Sequence, residues 1–283
     1  MSSFQKVIKY CAIAFAILLV VMIISGIVSA AVSVVKLVSG DKISHNDSQN
    51  RVDFSENFTE VDSLNIDIST GDVVIKSGET FRVEAQNVTD NFKAEVSGNG
   101  TLNVNENGNS THFLWFNWSG FGNINAKITV YLPANFIADE ANINMGAGNL
   151  TIDNLSTERL TLSAGAGNIN GSNITADKVK FDGGVGSVNL NGVTLNDADL
   201  DSGVGSLNIE GVLLGDNSIN CGVGSVNLDL NGNVDDYDLD IESGVGTVRV
   251  NGEKVKGQYH NSNADNSLEV EGGVGNVSID FAE

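Results

Sequence analysis

Two residues ahead of a recurring Gly-x-Gly element stand Ser163, Asp182, Asp201, Asn220, Glu242 and Glu271. Carboxylates repeated at one phase, Asp182, Asp201, Glu242 and Glu271, could raise one another's pKa or share a cation, and a polysaccharide-cleaving β-helix enzyme would place its acids on one face in this way. No base or histidine recurs beside them. The three histidines, His45, His112 and His260, fall in a polar stalk and two irregular segments, a poor basis for metal ligation or base catalysis. The line therefore reads as a solvated acidic face whose repulsion discourages sheet stacking, with no catalytic residue, metal or cofactor. Gly183-Gly184-Val185-Gly186 is not a calcium-binding nonapeptide, because Ser187 and Val188 follow where an Asp is needed and the period is wrong. It is not a nucleotide loop either, since no helix follows.

A second cluster is aromatic: His112, Phe113, Trp115, Phe116, Trp118 and Phe121 include both tryptophans of a chain that is only 6% aromatic. Such a segment either covers an open end of the fold or is displayed to a carbohydrate, a protein or the bilayer interface. A solenoid's need for special terminal units favours the cover.

The elements that must position these residues are repetitive. Gly-x-Gly begins at Gly146, Gly165, Gly184, Gly203 and Gly222, each 19 residues after the last, then at Gly244 and Gly273 after intervals of 22 and 29. Around it, apolar residues alternate with polar ones, as in Val188-Asn189-Leu190 and Leu207-Asn208-Ile209, the period of a strand with one buried face. The alternation before and after the glycines is out of phase, so a corner lies there. A second corner follows at Asn154, Asn173, Gly192 and Gly211, where the exchange of Asn for Gly points to a left-handed backbone. Each is followed by an apolar residue, Leu155, Ile174, Val193 or Val212. Short strands and fixed corners predict an all-β, single-stranded parallel β-solenoid of about 19-residue coils. It begins near residue 60, with loops at Asn231 to Asp236 and around Val255 to Ser267, and Asn170, Asn189, Asn208 and Asn227 form an outward amide ladder.

Charge divides the chain. The first 40 residues carry three lysines and no acid, so the net charge of −21 leaves −24 on the remainder. That acidity excludes nucleic acid as a partner and leaves cations, basic patches, or envelope glycan or protein. Cys11 and Cys221 cannot form a disulfide framework. Cys221 stands at a small, inward phase and is expected to be buried and inert. From Val7 to Val35 the residues are nearly all apolar, longer than the roughly 20 needed to cross a bilayer. With Lys6 and Lys9 in a short, acid-free tail, and an uncleaved anchor favoured over a signal peptide cut after Val28-Ser29-Ala30, the expected order is a cytoplasmic tail (1–9), a transmembrane helix (10–35) in the lipid bilayer, a polar stalk (36–57) and an extracytoplasmic solenoid (58–283) at the cell membrane.

The short tail, the single span, Ser69-Thr70-Gly71-Asp72-Val73, Tyr131-Leu132-Pro133 and the Gly-x-Gly coils together resemble the putative-adhesin family of bacterial membrane-anchored β-solenoid domains. The resemblance implies a cell-envelope protein and brings no catalytic residues. The function expected is a non-catalytic binding, adhesion or scaffold module, with the polysaccharide-acting enzyme as the alternative.

Overall fold

The computed structural model describes residues 51–106, 126–255 and 264–282. Among these residues the elements are strands of a single winding sheet, apart from one 3-10 turn at Val234–Asp236. The predicted span at 10–35, its flanking tail and the aromatic segment His112 to Phe121 lie outside the described residues.

The 19-residue period is a stacking register. Leu150, Ile169, Val188, Leu207 and Val226 pair in succession across parallel strands, and Leu162, Phe181, Leu200 and Ile219 do the same one corner earlier. Both ladders are buried. Burial of each such side chain contributes about 1.5–3 kcal/mol relative to exposure, so a rung is held mainly by the two rungs that sandwich it. Outside the core, Asn189, Asn208 and Asn227 each donate through Nδ2 to Oδ1 of the asparagine one rung back, at 3.1, 2.8 and 2.7 Å.

The Gly-x-Gly corner is fixed by crowding as well as by backbone angle. Gly205 has φ +147°, and a Cβ added there would fall on the carbonyl oxygen of Gly186 in the rung behind. The second corner is less uniform than the sequence suggests. Asn154, Asn173 and Gly192 are left-handed, at φ 61°, 53° and 61°. Gly211 is at φ +152°, a region open essentially to glycine alone, and its added Cβ would meet the Val193 carbonyl. The register explains the difference: Asn191 pairs with Glu210 and Val193 with Gly211, so Gly192 has no counterpart in the next rung. The missing residue returns at Gly215, φ 68°, and it is Leu213, not Val212, that is fully buried opposite Leu195.

At both ends the rungs do not follow chain order. The first coil of the stack, Ser63–Thr70 with Asp72–Gly78, lies between the later strands Thr101–Glu106 and Ala141–Ala147 on one side of the corner, and between Lys127–Pro133 and Leu150–Ala166 on the other. The last coil is placed likewise. Asn266–Val274 inserts between Asp216–Val223 and Tyr237–Val245, and Val277–Ala282 between Val226–Asn231 and Val248–Val250. A winding in simple chain order is thereby corrected, because an end rung needs a partner on its outer side and later or earlier chain supplies it. At the N-terminal end antiparallel strands complete the cover: Phe92–Val96 on Thr101–Glu106, and Phe81–Thr89 on Lys127–Pro133. Residues 51–57, expected as the end of a stalk, belong to the strand Arg51–Phe58, which pairs with Phe81–Thr89 and stacks Phe54 edge-on against Phe92 at 5.2 Å.

Candidate interaction surface

Each rung approaches the glycine corner with the same sequence of orientations. The residue two before the first glycine points outward, and the next points inward and, from Ala164 onward, is small, with the larger Met145 in its place one rung earlier. Ser202 and Cys221 are buried at this inward phase. At Gly183 the space is taken by the Phe181 ring, whose Cζ would lie 2.5 Å from an added Cβ. Cys221 lies 3.7 Å from the Gly205 carbonyl, and burial pushes its thiol pKa up, which holds it in the unreactive protonated form.

The outward positions form the acidic line expected from sequence, with its order revised by the inserted coil. Asp182 pairs with Asp201, Asp201 with Asn220, Asn220 with Glu271, and Glu271 with Glu242. Asn220 therefore separates two acidic pairs, and its Nδ2 donates to Asp201 Oδ1 at 2.9 Å. Asp199, Glu269 and Asp240 lie in the same strands two residues earlier, so these rungs present a broad acidic face. A shallow groove of about 410 Å³ runs beside it, lined by Asp182, Asp201 and Asn220 and floored by Gly183, Gly184, Ser202 and Gly203. Among the described residues no group of three or more His, Cys, Asp or Glu is arranged to hold a metal ion.

One feature of the corner was not recognised in the sequence. The residue between the two glycines is thrust outward, and on five successive rungs it is valine: Val185 58% exposed, Val204 45%, Val223 45%, Val274 51% and Val245 67%. Their strands are in register, so the side chains form a ridge with a step of about 4.8 Å. The signal was present, since an apolar residue flanked by glycines at a corner cannot face the core. Towards the N-terminus the ridge is reduced to Ala166 and Ala147, and on the same rungs the outward acid position holds Ser163 and Asn144. The valines and the run of acids from Asp182 to Glu242 thus begin on one rung and end together, while the further acid at this phase, Asp67, stands apart beside Asn144.

The model of the family described as Toastrack DUF4097 matches residues 61–280 of this chain, nearly the whole stack. The chain belongs to that family. Similar solved structures include one described as a putative cell adhesion protein from Clostridium sporogenes, at 19% identity and TM-score 0.39, covering 82% of this chain and 100% of that one. Another is described as a putative adhesin from Bacteroides fragilis, at 13% identity and TM-score 0.37, with 82% and 97% covered. A third is described as a putative lipid binding protein from Parabacteroides distasonis, at 14% and 0.36, with 83% and 98% covered. No curated protein matches.

In this toastrack domain the glycine corners at Gly146, Gly165, Gly184, Gly203, Gly222, Gly273 and Gly244 form one ladder, in that spatial order. The ladder removes side chains on both sides of the valine ridge. What the arrangement offers chemically is an apolar rib in a trough of exposed backbone, with carboxylates along one bank.

Proposed function

We propose that the chain is a membrane-anchored, extracytoplasmic module that binds or braces other cell-envelope material and catalyses nothing. In this reading residues 10–35 cross the bilayer, the N-terminus is cytoplasmic, and the toastrack domain is the part that makes contact. The observation that carries it is the coextension of the Val185–Val245 ridge with the acids Asp182, Asp201, Glu271 and Glu242. These stacked valines leave about half of their surface to solvent, and an apolar strip rimmed by polar groups is the usual mark of an interaction site.

The test is capture of envelope glycan and protein by the detergent-extracted full chain, compared with Val204→Ser/Val223→Ser. The expected result is a loss of captured material of about tenfold with the fold intact by circular dichroism. Capture unaffected by the double substitution would overturn the reading. Turnover of a polysaccharide by the unaltered chain would replace it with the enzymatic alternative.

A further inference from the structure

The geometry of the ridge points to one kind of occupant: we infer that it receives an amphipathic α-helix with an apolar stripe and a flanking row of lysine or arginine. The inference rests on the ridge being the binding surface and specifies its partner.

The first argument is spacing. Five valines at a step of about 4.8 Å make a rib roughly 19 Å long. On a helix, residues three and four apart advance about 4.5 and 6 Å along the axis, so an i, i+3/i+4 stripe averages about 5.4 Å per contact and slips from the rib by only about 0.6 Å per rung, and about 13 residues cover it. An extended strand places same-side residues every 6.6–6.8 Å or so and falls out of step by the second contact. The glycines beside each valine leave the trough free of side chains, which allows a cylinder of helical width to seat against the rib.

Charge complementarity is the second argument. Asp182, Asp201 and Glu271 run parallel to the valines, and Asp199 and Glu269 stand behind them. Two copies of this surface would bring carboxylates together, and an anionic lipid face would be repelled. A helix whose polar flank is basic satisfies the acids while its apolar stripe covers the valines. The face changes character on the rung of Val185, where Lys178 and Lys180 precede Asp182 and Arg159 pairs with Lys178, so the basic flank of the helix is matched by acids mainly on the rungs from Asp201 to Glu242.

The test uses the full chain in phosphatidylcholine nanodiscs, with empty discs as the blank. The probe is an 18-residue Leu/Lys/Ala peptide patterned i, i+3/i+4, i+7, against an isomer of the same composition patterned every second residue. The helical pattern should bind at least about tenfold more tightly. Val204→Ser/Val223→Ser and, separately, Asp201→Asn/Glu271→Gln should each weaken it about tenfold, whereas Glu95→Gln/Asp153→Asn, which removes two acids elsewhere, should not. Equal binding of the two peptides, or binding untouched by the valine substitutions, would overturn the inference in favour of charge alone. Concentration-dependent self-association lost with the valine variant would overturn it in favour of a second copy, and binding to discs containing phosphatidylglycerol in favour of a lipid surface. Envelope capture that depends on the valines without peptide binding would sink the inference and leave the proposed function standing. Capture indifferent to the valines would remove that function itself.

Discussion

Between Leu150 and Val226 each rung lies between near-copies of itself, and the same few interactions recur: a buried aliphatic ladder, a glycine ladder and an amide ladder. The N-terminal end is made differently. There antiparallel strands replace a missing neighbour, and single, unrepeated contacts are added to the short aliphatic ladders that remain. Thr89 N donates to the buried Glu106 carboxylate at 3.1 Å, Tyr131 Oη donates to Glu84 at 2.9 Å, and the Lys76 ammonium lies 5.0 Å from the Tyr131 ring. A repeated rung can be specified by one motif because its neighbour supplies the complementary surface. A terminal rung has to be specified residue by residue.

The contrast is sharpest at glycine. Gly205→Val in the repetitive region places a β-branched side chain at φ +147° and against the Gly186 carbonyl, and the neighbouring rungs cannot yield without shifting the whole ladder. The expected cost is at least about 3 kcal/mol, read by thermal or urea unfolding. Gly98→Ala, in a turn of the terminal region where an added Cβ meets nothing within 4 Å, should stay within about 0.5 kcal/mol. Equal effects would erase the distinction between the regions.

Within the repetitive region the second corner gives a finer test. Gly192→Asn should be tolerated, because Asn154 and Asn173 already adopt the same left-handed angle, while Gly192→Val should lose about 1–3 kcal/mol. At Gly211 asparagine should be nearly as damaging as valine, since φ +152° and the Val193 carbonyl exclude any side chain. If Asn is accepted at both positions, the two corners are alike and the register shift at Gly192 is wrong.

The smallest effect concerns Cys221, on the rung that receives the inserted coil. Its pKa is raised above the usual thiol value by burial, so the unfolded chain ionises first as pH climbs. The stability contributed by the buried thiol is complete below the unfolded pKa and is lost as pH rises through the folded one. A modest fall in unfolding midpoint is expected on the alkaline side, absent in Cys221→Ala. Labelling of the folded protein by a thiol reagent should be far slower than of the unfolded chain; equal rates would mean that the last coil does not cover this rung.

Most of the rung was legible in the sequence. The 19-residue interval, the apolar phases and the asparagine ladder follow from pattern alone, and each is set by contacts between near-identical neighbours. Gly211 was grouped with Asn154, Asn173 and Gly192 because residue type does not separate φ 61° from φ 152°; only the pairing of Val193 with Gly211 does. The order of the rungs was hidden for a related reason. Gly244-Val245-Gly246 and Gly273-Val274-Gly275 carry the same motif, and either could stack on Gly222-Val223-Gly224. The acids were found but set in chain order, which put Glu242 beside Asn220 where the fold puts Glu271. The valines were in plain view and were passed over because the corner was read for its conformation alone.

Both the inserted last coil and the continuity of the valine ridge rest on Val223 lying beside Val274, with Val245 one rung further out. Paired cysteines on a Cys11→Ser/Cys221→Ser background measure this directly. Neighbouring rungs are about 4.8 Å apart and alternate ones about twice that, so only the former fall within disulfide reach. Mild oxidation should close Val223→Cys/Val274→Cys and leave Val223→Cys/Val245→Cys as free thiols, scored by mass after alkylation. The opposite pattern, with 223 joined to 245 and not to 274, would show a stack wound in chain order and contradict the account.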